Sequence, residues 1–225
     1  MAPLFRDRAD AARQLARPLR SFAHTPNLVV LGLPRGGVPV AAEVARALGG
    51  RLDLMLVRKL GVPGQPELAM GAIASGGVRI LNQDVIPFLG LDQRTIDDVT
   101  RREEAELARR EQAYRGHQPS LPLAGATVIL VDDGVATGST MLAALQAVKS
   151  QHPARVVVAA PVMSQSAYDL LSCEADRCVA VAVPEPFGGV GAWYEDFRQL
   201  GDADVIAAMD RARSLEQGVA GQAGA

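Results

Sequence analysis

The sequence predicts an α/β protein with a mostly parallel sheet and helices on both of its faces. Short, continuously apolar runs at 28–33, 127–131 and 155–162 alternate along the chain with longer segments of helical periodicity. Strands that are apolar on both sides are typical of parallel sheets, because crossover connections lay helices over each face. The 225 residues are enough for one such domain with a core of its own.

The first elements form a βαβ unit. An amphipathic helix is predicted over 7–22, followed by the strand at 28–33. The next helix has Pro39 in its first turn and stops at Gly49-Gly50. A second strand is predicted at 54–57, and the right-handed crossover rule makes it parallel to the first.

The middle of the chain is less regular. Residues 60–69 hold two Pro and two Gly and predict an exposed mobile loop. Short strands are expected at 71–74 and 78–81. Residues 92–115 predict a long charged helix with Asp92 as its N-cap. Its charges indicate a solvated face, with support of a homodimer as the alternative.

Regular alternation resumes in the second half. A strand at 127–131 leads to a helix at 139–150, and a strand at 155–162 leads to a helix at 165–172. A last strand is predicted at 178–183.

The C-terminal region breaks this pattern. Segment 184–201 concentrates aromatic residues in a chain that is only 4% aromatic. A helix at 203–213 completes a single domain over 1–213, and we expect the Gly/Ala-rich tail at 214–225 to be disordered.

Bulk properties exclude several classes of protein. The 23 Lys and Arg residues nearly balance 25 Asp and Glu, so no basic excess indicates a nucleic-acid partner. The apolar runs are too short to span a membrane, and the N-terminus lacks the apolar core of a secretory signal. Cys173 and Cys178 make neither a disulfide framework nor a zinc site. His24, His117 and His152 are expected at the surface. These properties predict a cytoplasmic enzyme.

The most informative stretch is 127–141, TVILVDDGVATGSTM. An apolar strand ends in Asp132 and Asp133, a loop rich in Gly and hydroxyl residues follows, and a helix begins. Loop amides and a helix N-terminus favour a bound phosphate. The adjacent carboxylates are placed to meet ribose hydroxyls or a metal-bound polyphosphate. The stretch therefore predicts a site for a phosphorylated sugar.

Other interpretations of this stretch fit less well. A Walker A loop needs a Lys that is absent here, and the G-x-G-x-x-G dinucleotide fingerprint is also absent. An EF-hand counted from Asp132 would need Glu where Ala143 stands. An ordinary βα turn remains as the alternative, although two acids and four small or hydroxyl residues exceed what a helix cap requires.

The segment Asp132-Asp133-x-x-Ala136-Thr137-Gly138-x-Thr140-Met141 resembles the phosphoribosyl pyrophosphate (PRPP) signature of type I phosphoribosyltransferases, close to its form in adenine enzymes. The resemblance implies the Rossmann-like fold of that family. It also implies that Asp132 and Asp133 are catalytic and meet a Mg²⁺ ion carried by PRPP. The 5′-phosphate would be bound by Gly134, Val135, Ala136, Thr137, Gly138, Ser139 and Thr140.

A second motif, Pro34-Arg35-Gly36-Gly37, follows the first strand and resembles the pyrophosphate loop of the same family, in the R-G-G form of xanthine-guanine enzymes. Glycines let the backbone approach an anion closely, and the Arg35 guanidinium fits phosphate oxygens. On its own, R-G-G suits a tight turn equally well.

A third motif, Val57-Arg58-Lys59-Leu60-Gly61-Val62-Pro63-Gly64, resembles the start of the catalytic loop of the adenine enzymes, shortened by one residue. Arg58 or Lys59 would neutralise the leaving pyrophosphate, and a closing loop would exclude water. Glu67 lies within this loop as a candidate acid or base, with a solvated loop carboxylate as the alternative.

The segment 184–201 corresponds to the family's variable hood, which covers the base. Trp193 and Tyr194, together with Val162, are the candidate base-binding residues. The alternative is a small satellite core that pins the C-terminus.

The resemblance covers about residues 5–210 and is greatest to an uncharacterised bacterial branch that shares the V-x-x-W-Y-x-x-F pattern. It implies Mg²⁺-dependent transfer of ribose 5-phosphate from PRPP to a nitrogen base, normally a nucleobase. The motifs point to different bases, and Ala136 stands where hypoxanthine-guanine enzymes have Asp, so the acceptor stays open. A non-catalytic sensor of PRPP or nucleotide is the main alternative, and a pyrophosphorylase or phosphoribohydrolase is another.

Overall fold

The computed structural model describes residues 2–116 and 118–222, apart from the side chains of residues 66, 67 and 215–222. The helices are α1 (Arg8–Ala16), α2 (Gly37–Leu48), α3 (Val85–Phe88), α4 (Gln93–Arg115), α5 (Ser139–Lys149), α6 (Gln165–Glu174) and α7 (Asp202–Gln222). The strands are β1 (Leu28–Gly32), β2 (Arg51–Leu54), β3 (Val57–Val62), β4 (Gln65–Ala74), β5 (Val78–Leu81), β6 (Thr127–Val131), β7 (Arg155–Val162) and β8 (Arg177–Ala182).

Five strands form a parallel sheet in the order β2-β1-β6-β7-β8, which confirms the predicted class. From β1 the chain first moves outward to β2 and later returns on the other side of β1 to β6. The carboxyl ends of β1 and β6 therefore flank the crevice at which open α/β sheets bind ligands. The second strand lies at Arg51–Leu54, earlier than predicted, because the polar Arg51 and Asp53 mask its apolar pattern.

Both faces of this sheet are covered. Leu28 and Val30 of β1 pack in a cluster with α1, α2, α4 and α7. Val29 and Leu31 point the other way and pack against α5 and α6. All four side chains are at most 3% exposed. This double burial explains why the strands are continuously apolar, and it fixes the direction of the loops that leave their carboxyl ends.

The predicted mobile loop at 60–69 is instead part of a three-stranded antiparallel sheet, β3-β4-β5. Val62 pairs with Gln65, which leaves Pro63-Gly64 as a two-residue turn. Gly64 has φ +80°, so Pro followed by a left-handed Gly is the composition of a type II turn. Leu60 and Met70 are fully buried, which an exposed loop would not allow. The Pro and Gly residues of this segment are typical of loops, so its composition does not indicate the hairpin.

Helix α4 has the bounds that its sequence predicts. The Asp92 side chain accepts a hydrogen bond from the Thr95 amide at 2.7 Å, which confirms the predicted N-cap. The C-terminal end is fixed by Arg115, whose Nε lies 3.0 Å from Asp53 Oδ1 and whose Nη2 donates to the Leu54 carbonyl at 2.5 Å. The helix is thereby tied to the end of β2.

The N-terminal segment meets the segment that precedes the last helix. The amides of Leu4 and Phe5 each donate to the Trp193 carbonyl at 3.0 Å, and the Glu195 amide donates to the Phe5 carbonyl at 2.9 Å. The first predicted helix is shorter than 7–22, because Pro18 prevents its continuation beyond the preceding turn and only a 3-10 turn follows at Arg20–Phe22.

The last helix is longer than the predicted 203–213 and continues to Gln222, over part of the predicted disordered tail. Arg, Leu, Glu and Gln at 211–217 are good helix formers, and they outweigh the glycines that follow. Residues 223–225 lie outside the described residues. None of the described helices combines the length and the hydropathy needed to cross a bilayer.

Candidate active site

The acid pair and the R-G-G loop face each other at the switch point of the sheet. A Cβ on Gly36 would lie 2.0 Å from Asp133 Oδ2, and one on Gly37 would lie 2.5 Å from the Val131 carbonyl oxygen. Such distances are shorter than any van der Waals contact, so both positions require glycine. The sequence explained these glycines by close approach of an anion. The structure shows that they first allow the two loops to pack against each other.

The acid pair lies in an unfavourable place for two negative charges. Burial raises the pKa of Asp132 well above its ordinary value, and the neighbouring Asp133 carboxylate raises it further. Burial also raises the pKa of Asp133, although the Arg8 guanidinium partly offsets this. Asp132 Oδ1 accepts the Asp133 amide at 2.8 Å, which fixes the turn between them. Carboxylates held in this way are poised to meet hydroxyl donors or a cation.

Arg8, the first residue of α1, completes the pair, and sequence reasoning missed it. Its Nε lies 2.7 Å from Asp133 Oδ2, its Nη1 donates to the Arg198 carbonyl at 3.0 Å, and its guanidinium lies 4.1 Å from the Phe197 ring centroid. The Asp133 contact joins residues 125 positions apart. One sign was available, because a cation directly after the N-cap Asp7 opposes the helix dipole.

Tyr194 is hydrogen-bonded to the backbone of the acid pair. Its hydroxyl donates to the Asp133 backbone carbonyl at 2.5 Å, and burial raises the pKa of the phenol, so it stays a donor. Trp193 likewise donates its indole N–H to the Phe187 carbonyl at 2.8 Å.

The candidate base-binding residues Trp193, Tyr194 and Val162 do not line an open site. They are 5%, 4% and 0% exposed and pack with Phe5 and Ala11. A ring that is enclosed on both faces by its own core has no face for a base. The structure therefore corrects this assignment and matches the alternative, a satellite core that pins the C-terminal segment.

The predicted phosphate loop is fixed at its base and open at its tip. The Val135 amide donates to the Val162 carbonyl at 2.9 Å, and the Ser164 hydroxyl donates to the Ala136 carbonyl at 2.5 Å. Gly138, with φ +80°, is the N-cap of α5. The exposed residues of the loop are Ala136, Thr137, Ser139 and Thr140. The loop thus presents its hydroxyls at the positive end of an 11-residue helix, which suits a phosphate.

The two predicted catalytic cations of the hairpin have different surroundings. Arg58 donates from Nε and Nη2 to Glu103 Oε2 on α4, at 2.9 and 2.5 Å. Lys59 lines a cleft of about 410 Å³ together with Ser139 and Thr140 of the phosphate loop. Lys59 therefore lines the same cleft as the hydroxyls of the phosphate loop, and the Arg58 guanidinium is paired with α4. The side chain of Glu67 lies outside the described part of the chain.

A cavity of about 330 Å³ opens between the R-G-G loop and the C-terminal segment. Its lining residues are Arg8, Arg35, Gly36, Asp133, Phe197, Arg198, Gln199 and Leu200. Arg35 is exposed beside it.

The donor set fits a substrate-borne metal. Across the described residues, no three His, Cys, Asp or Glu side chains gather as a metal cluster. Mg²⁺ typically keeps several waters and binds through one or two carboxylates plus substrate phosphates, rather than in an all-protein cage. The adjacent Asp132 and Asp133 match that pattern.

A parallel sheet with an acid pair at its switch point and a phosphate loop on the next helix defines a class of proteins that bind phosphorylated sugars. Residues 5–182 match the phosphoribosyl transferase domain model, and the chain belongs to that family, with the type I fold that its motifs imply.

Relatives agree with this assignment. A Mycobacterium tuberculosis protein named as a phosphoribosyl transferase, from strains CDC 1551 and H37Rv, is 46% identical over 209 residues, which cover 93% of this chain and 47% of its own. The chain thus spans about half the length of these curated relatives. The crystal structure of TT1426 from Thermus thermophilus superposes with a TM-score of 0.83 at 46% identity, over 93% of this chain and 98% of that one.

Proposed function

We propose that this protein transfers ribose 5-phosphate from PRPP to a nitrogen base, normally a nucleobase, and releases pyrophosphate. One observation carries the proposal. The Asp132–Asp133 pair lies between an open phosphate loop and the Gly36-Gly37 backbone, so that groups for the three parts of PRPP converge at one crevice. Those parts are the 5′-phosphate, the ribose hydroxyls and the pyrophosphate.

The reaction breaks the bond between C1 and the pyrophosphate oxygen. The electron pair leaves with pyrophosphate, the ribose ring becomes cationic, and a lone pair of the base nitrogen then forms the new bond to C1. A base that carries a proton on that nitrogen gives it to the released pyrophosphate or to water. Residues 134–140 anchor the 5′-phosphate, so that binding energy far from C1 positions the reacting atoms. Asp132 and Asp133 hold the ribose hydroxyls.

The leaving group needs positive charge. Arg35 is exposed at the R-G-G loop, and Lys59 lines the cleft beside the phosphate loop. Asp132 and Asp133 would hold a Mg²⁺ ion carried by PRPP, and that ion would supply further neutralisation of the leaving group. Preorganised charge of this kind stabilises the departing oxyanion more than the ground state.

A sensor of PRPP or nucleotide is the second candidate. Two contacts favour it, because Glu103 engages Arg58 and the Arg8 guanidinium engages Asp133. A sensor needs the binding loops but no cation on the leaving group. The transferase and the sensor would both bind PRPP, and only the transferase would turn it over.

The test is pyrophosphate release from PRPP with Mg²⁺, against a panel of purine and pyrimidine bases, with Asp133→Asn as the blank. Gly36→Ala should reduce release about 100-fold or more, since displacing a reacting group by about 1 Å costs that much. Gly201→Ala is the matched control, because a Cβ there would meet its nearest atom, Asp204 Oδ2, at 3.9 Å.

Release that depends on a base and is lost in Asp133→Asn and Gly36→Ala supports the transferase. PRPP binding by calorimetry without release for any base would favour the sensor. Equal release in Gly36→Ala and Gly201→Ala would contradict the site itself.

A further inference from the structure

The cavity between the R-G-G loop and the C-terminal segment is positively charged. Its lining includes three guanidinium groups, of Arg8, Arg35 and Arg198, and one carboxylate, of Asp133. Arg198 is paired with Asp204 at 2.6 Å and Arg8 with Asp133 at 2.7 Å. The exposed Arg35 binds the pyrophosphate in the proposed reaction, so the N–H donors of Arg8 are what the cavity offers an acceptor, and they favour a ligand edge with partial negative charge.

Arg8 is held more firmly than a surface arginine. Its side chain is only 12% exposed and is fixed by Asp133, by the Arg198 carbonyl and by the Phe197 ring. Within the described residues, its Nη2 makes no hydrogen bond. A guanidinium is a donor only and cannot lose its proton in a protein. Arg8 therefore offers a fixed N–H donor at the cavity and no acceptor.

Phe197 supplies the apolar wall of the same cavity. The ring is half-buried, unlike Trp193 and Tyr194. The Arg8 guanidinium lies 4.1 Å from its centroid and the Tyr194 ring centroid lies 4.9 Å from it, so the ring offers the cavity apolar contact rather than an open face. A cavity of about 330 Å³ is within the usual range of small-molecule sites.

We propose that Arg8 determines the acceptor specificity of this protein. The acceptor ring lies in this cavity beside Phe197 and presents an oxo edge to Arg8, and a ring with an amino group at that edge is rejected. This inference rests on the proposed function for the identity of the site, and it names the substrate class: planar rings with an oxo group as hydrogen-bond acceptor, such as 6-oxopurines or 4-oxopyrimidines.

The physical reason is the chemistry of the edge. An amino group that meets a guanidinium places donor against donor and leaves both N–H groups unpaired. Asp133, the one carboxylate of the lining, is already paired with Arg8. An oxo group at the same position accepts from Arg8. In nucleic-acid recognition, arginine reads oxo-bearing guanine and glutamine reads amino-bearing adenine for this reason.

The test uses nucleotides that differ at one atom. Calorimetry measures the binding of inosine and adenosine 5′-monophosphates and of uridine and cytidine 5′-monophosphates, in which an oxo group replaces an amino group. The oxo member of at least one pair should bind about tenfold more tightly, the discrimination that a good arginine contact supplies. Both members of a pair carry the same ribose and phosphate, so the ratio of their dissociation constants cancels any effect of a variant on the sites for those groups.

Three variants locate the effect. Arg8→Gln, whose amide both donates and accepts, should lower the ratio about tenfold. Arg8→Lys keeps a donor-only cation and should keep the direction of preference. Arg6→Gln is the matched control, because Arg6 lies two residues earlier with a side chain 71% exposed. Thermal unfolding of each variant establishes that it is folded. If Arg8→Gln is unfolded, Phe197→Leu is the second probe, and it should weaken the binding of both nucleotides of a pair.

Equal or tighter binding of the amino nucleotides, absence of binding by all four, or an unchanged ratio in Arg8→Gln would overturn the proposal. The outcome is separate from the proposed function. Discrimination that depends on Arg8, without pyrophosphate release from PRPP, would leave the specificity site standing and contradict the transferase. Pyrophosphate release that depends equally on adenine and hypoxanthine would support the transferase and contradict the specificity site.

Discussion

At the scale of the residue, the candidate site places Asp132 and Asp133 where ionisation of the carboxylates is unfavourable. Burial and the adjacent carboxylate both raise the pKa of Asp132, so the folded protein disfavours its ionised form. Between the ordinary value of 3.8 and the raised value, the folded state holds a proton that the unfolded state has lost. The free energy of unfolding therefore falls as the pH rises through that window, and the penalty is fully present above it.

Asp132→Asn should accordingly stabilise the protein while abolishing turnover. The amide oxygen can still accept the Asp133 amide, so the turn is kept. At pH 7.5 the Tm should rise by at least about 2–4 °C, the shift that each kcal/mol gives a domain of this size. Below about pH 3, well under the ordinary value of 3.8, both states of the native protein are protonated, and the difference from the variant should disappear.

Differential scanning calorimetry at about pH 3 and pH 7.5 checks this prediction. Asp97→Asn serves as the control of opposite sign, because a hydrogen bond from Arg79 lowers the pKa of Asp97 and its ionised form is favoured by folding. A Tm for Asp132→Asn at pH 7.5 that is equal to or below that of the native protein would show that the carboxylate is not destabilising.

The same residues show how far a sequence predicts a site. Asp132, Asp133 and the phosphate loop are contiguous, so their chemistry is written in one short segment. Arg8 joins Asp133 across 125 positions, and no local pattern encodes such a contact. Trp193 was misassigned for a related reason. Composition shows that an aromatic ring is present, but only the fold shows that Phe5 and Val162 enclose it.

At the scale of elements, helix α4 is anchored at its C-terminal end by a buried ion pair. Arg115 and Asp53 are each 7% exposed, and Asp53 also accepts the Leu121 amide at 2.9 Å. The remaining hydrogen bonds of Arg115 reach Glu111 and the Leu54 carbonyl. This network aligns α4 with β2, and α4 in turn supplies Glu103 to the hairpin.

Arg115→Ala should lower the free energy of unfolding by about 3–5 kcal/mol, because it leaves Asp53 as a buried charge without its partner. Urea unfolding followed by circular dichroism gives this value. Arg109→Ala, on the same helix, removes an exposed pair with Glu106 and should cost at most about 1 kcal/mol. Similar costs for the two variants would mean that the buried network does not hold the helix.

The hairpin illustrates which elements a sequence obscures. The parallel strands are predicted well because each is buried on both faces and reads as an unbroken apolar run. Strands β3 and β4 are buried on one face and carry register shifts at Leu60/Gly61 and Gly61/Val62, so their alternation is broken. Pro63-Gly64 has the composition of a loop, and the same dipeptide is also suited to the centre of a type II turn.

At the scale of the whole molecule, the N-terminal segment and segment 184–201 are joined to the sheet as one body. Phe5 and Ala11 of the N-terminal segment and Val162 at the end of β7 pack around Trp193 and Tyr194. Tyr194 connects this cluster to the acid pair, and Arg8 connects it to the cavity. The candidate site is therefore built by both ends of the domain, and its geometry depends on their docking.

Phe5→Ala should uncouple this docking from the main sheet. Trp193 is the only tryptophan of the chain, so its fluorescence reports on the cluster, while far-ultraviolet circular dichroism reports on all helices. In the native protein the two urea transitions should coincide, as one cooperative unit requires.

Removal of the Phe5 ring, which is 1% exposed, should lower the free energy of unfolding by about 3–5 kcal/mol, most of it within this cluster. The fluorescence transition should therefore move to lower urea than the dichroism transition. Phe88→Ala, at a ring that is 87% exposed, should leave both transitions unchanged. Two transitions that stay superimposed in Phe5→Ala would mean that the cluster and the parallel sheet cannot unfold separately, and that the N-terminal residues stabilise the whole domain rather than one side of the site.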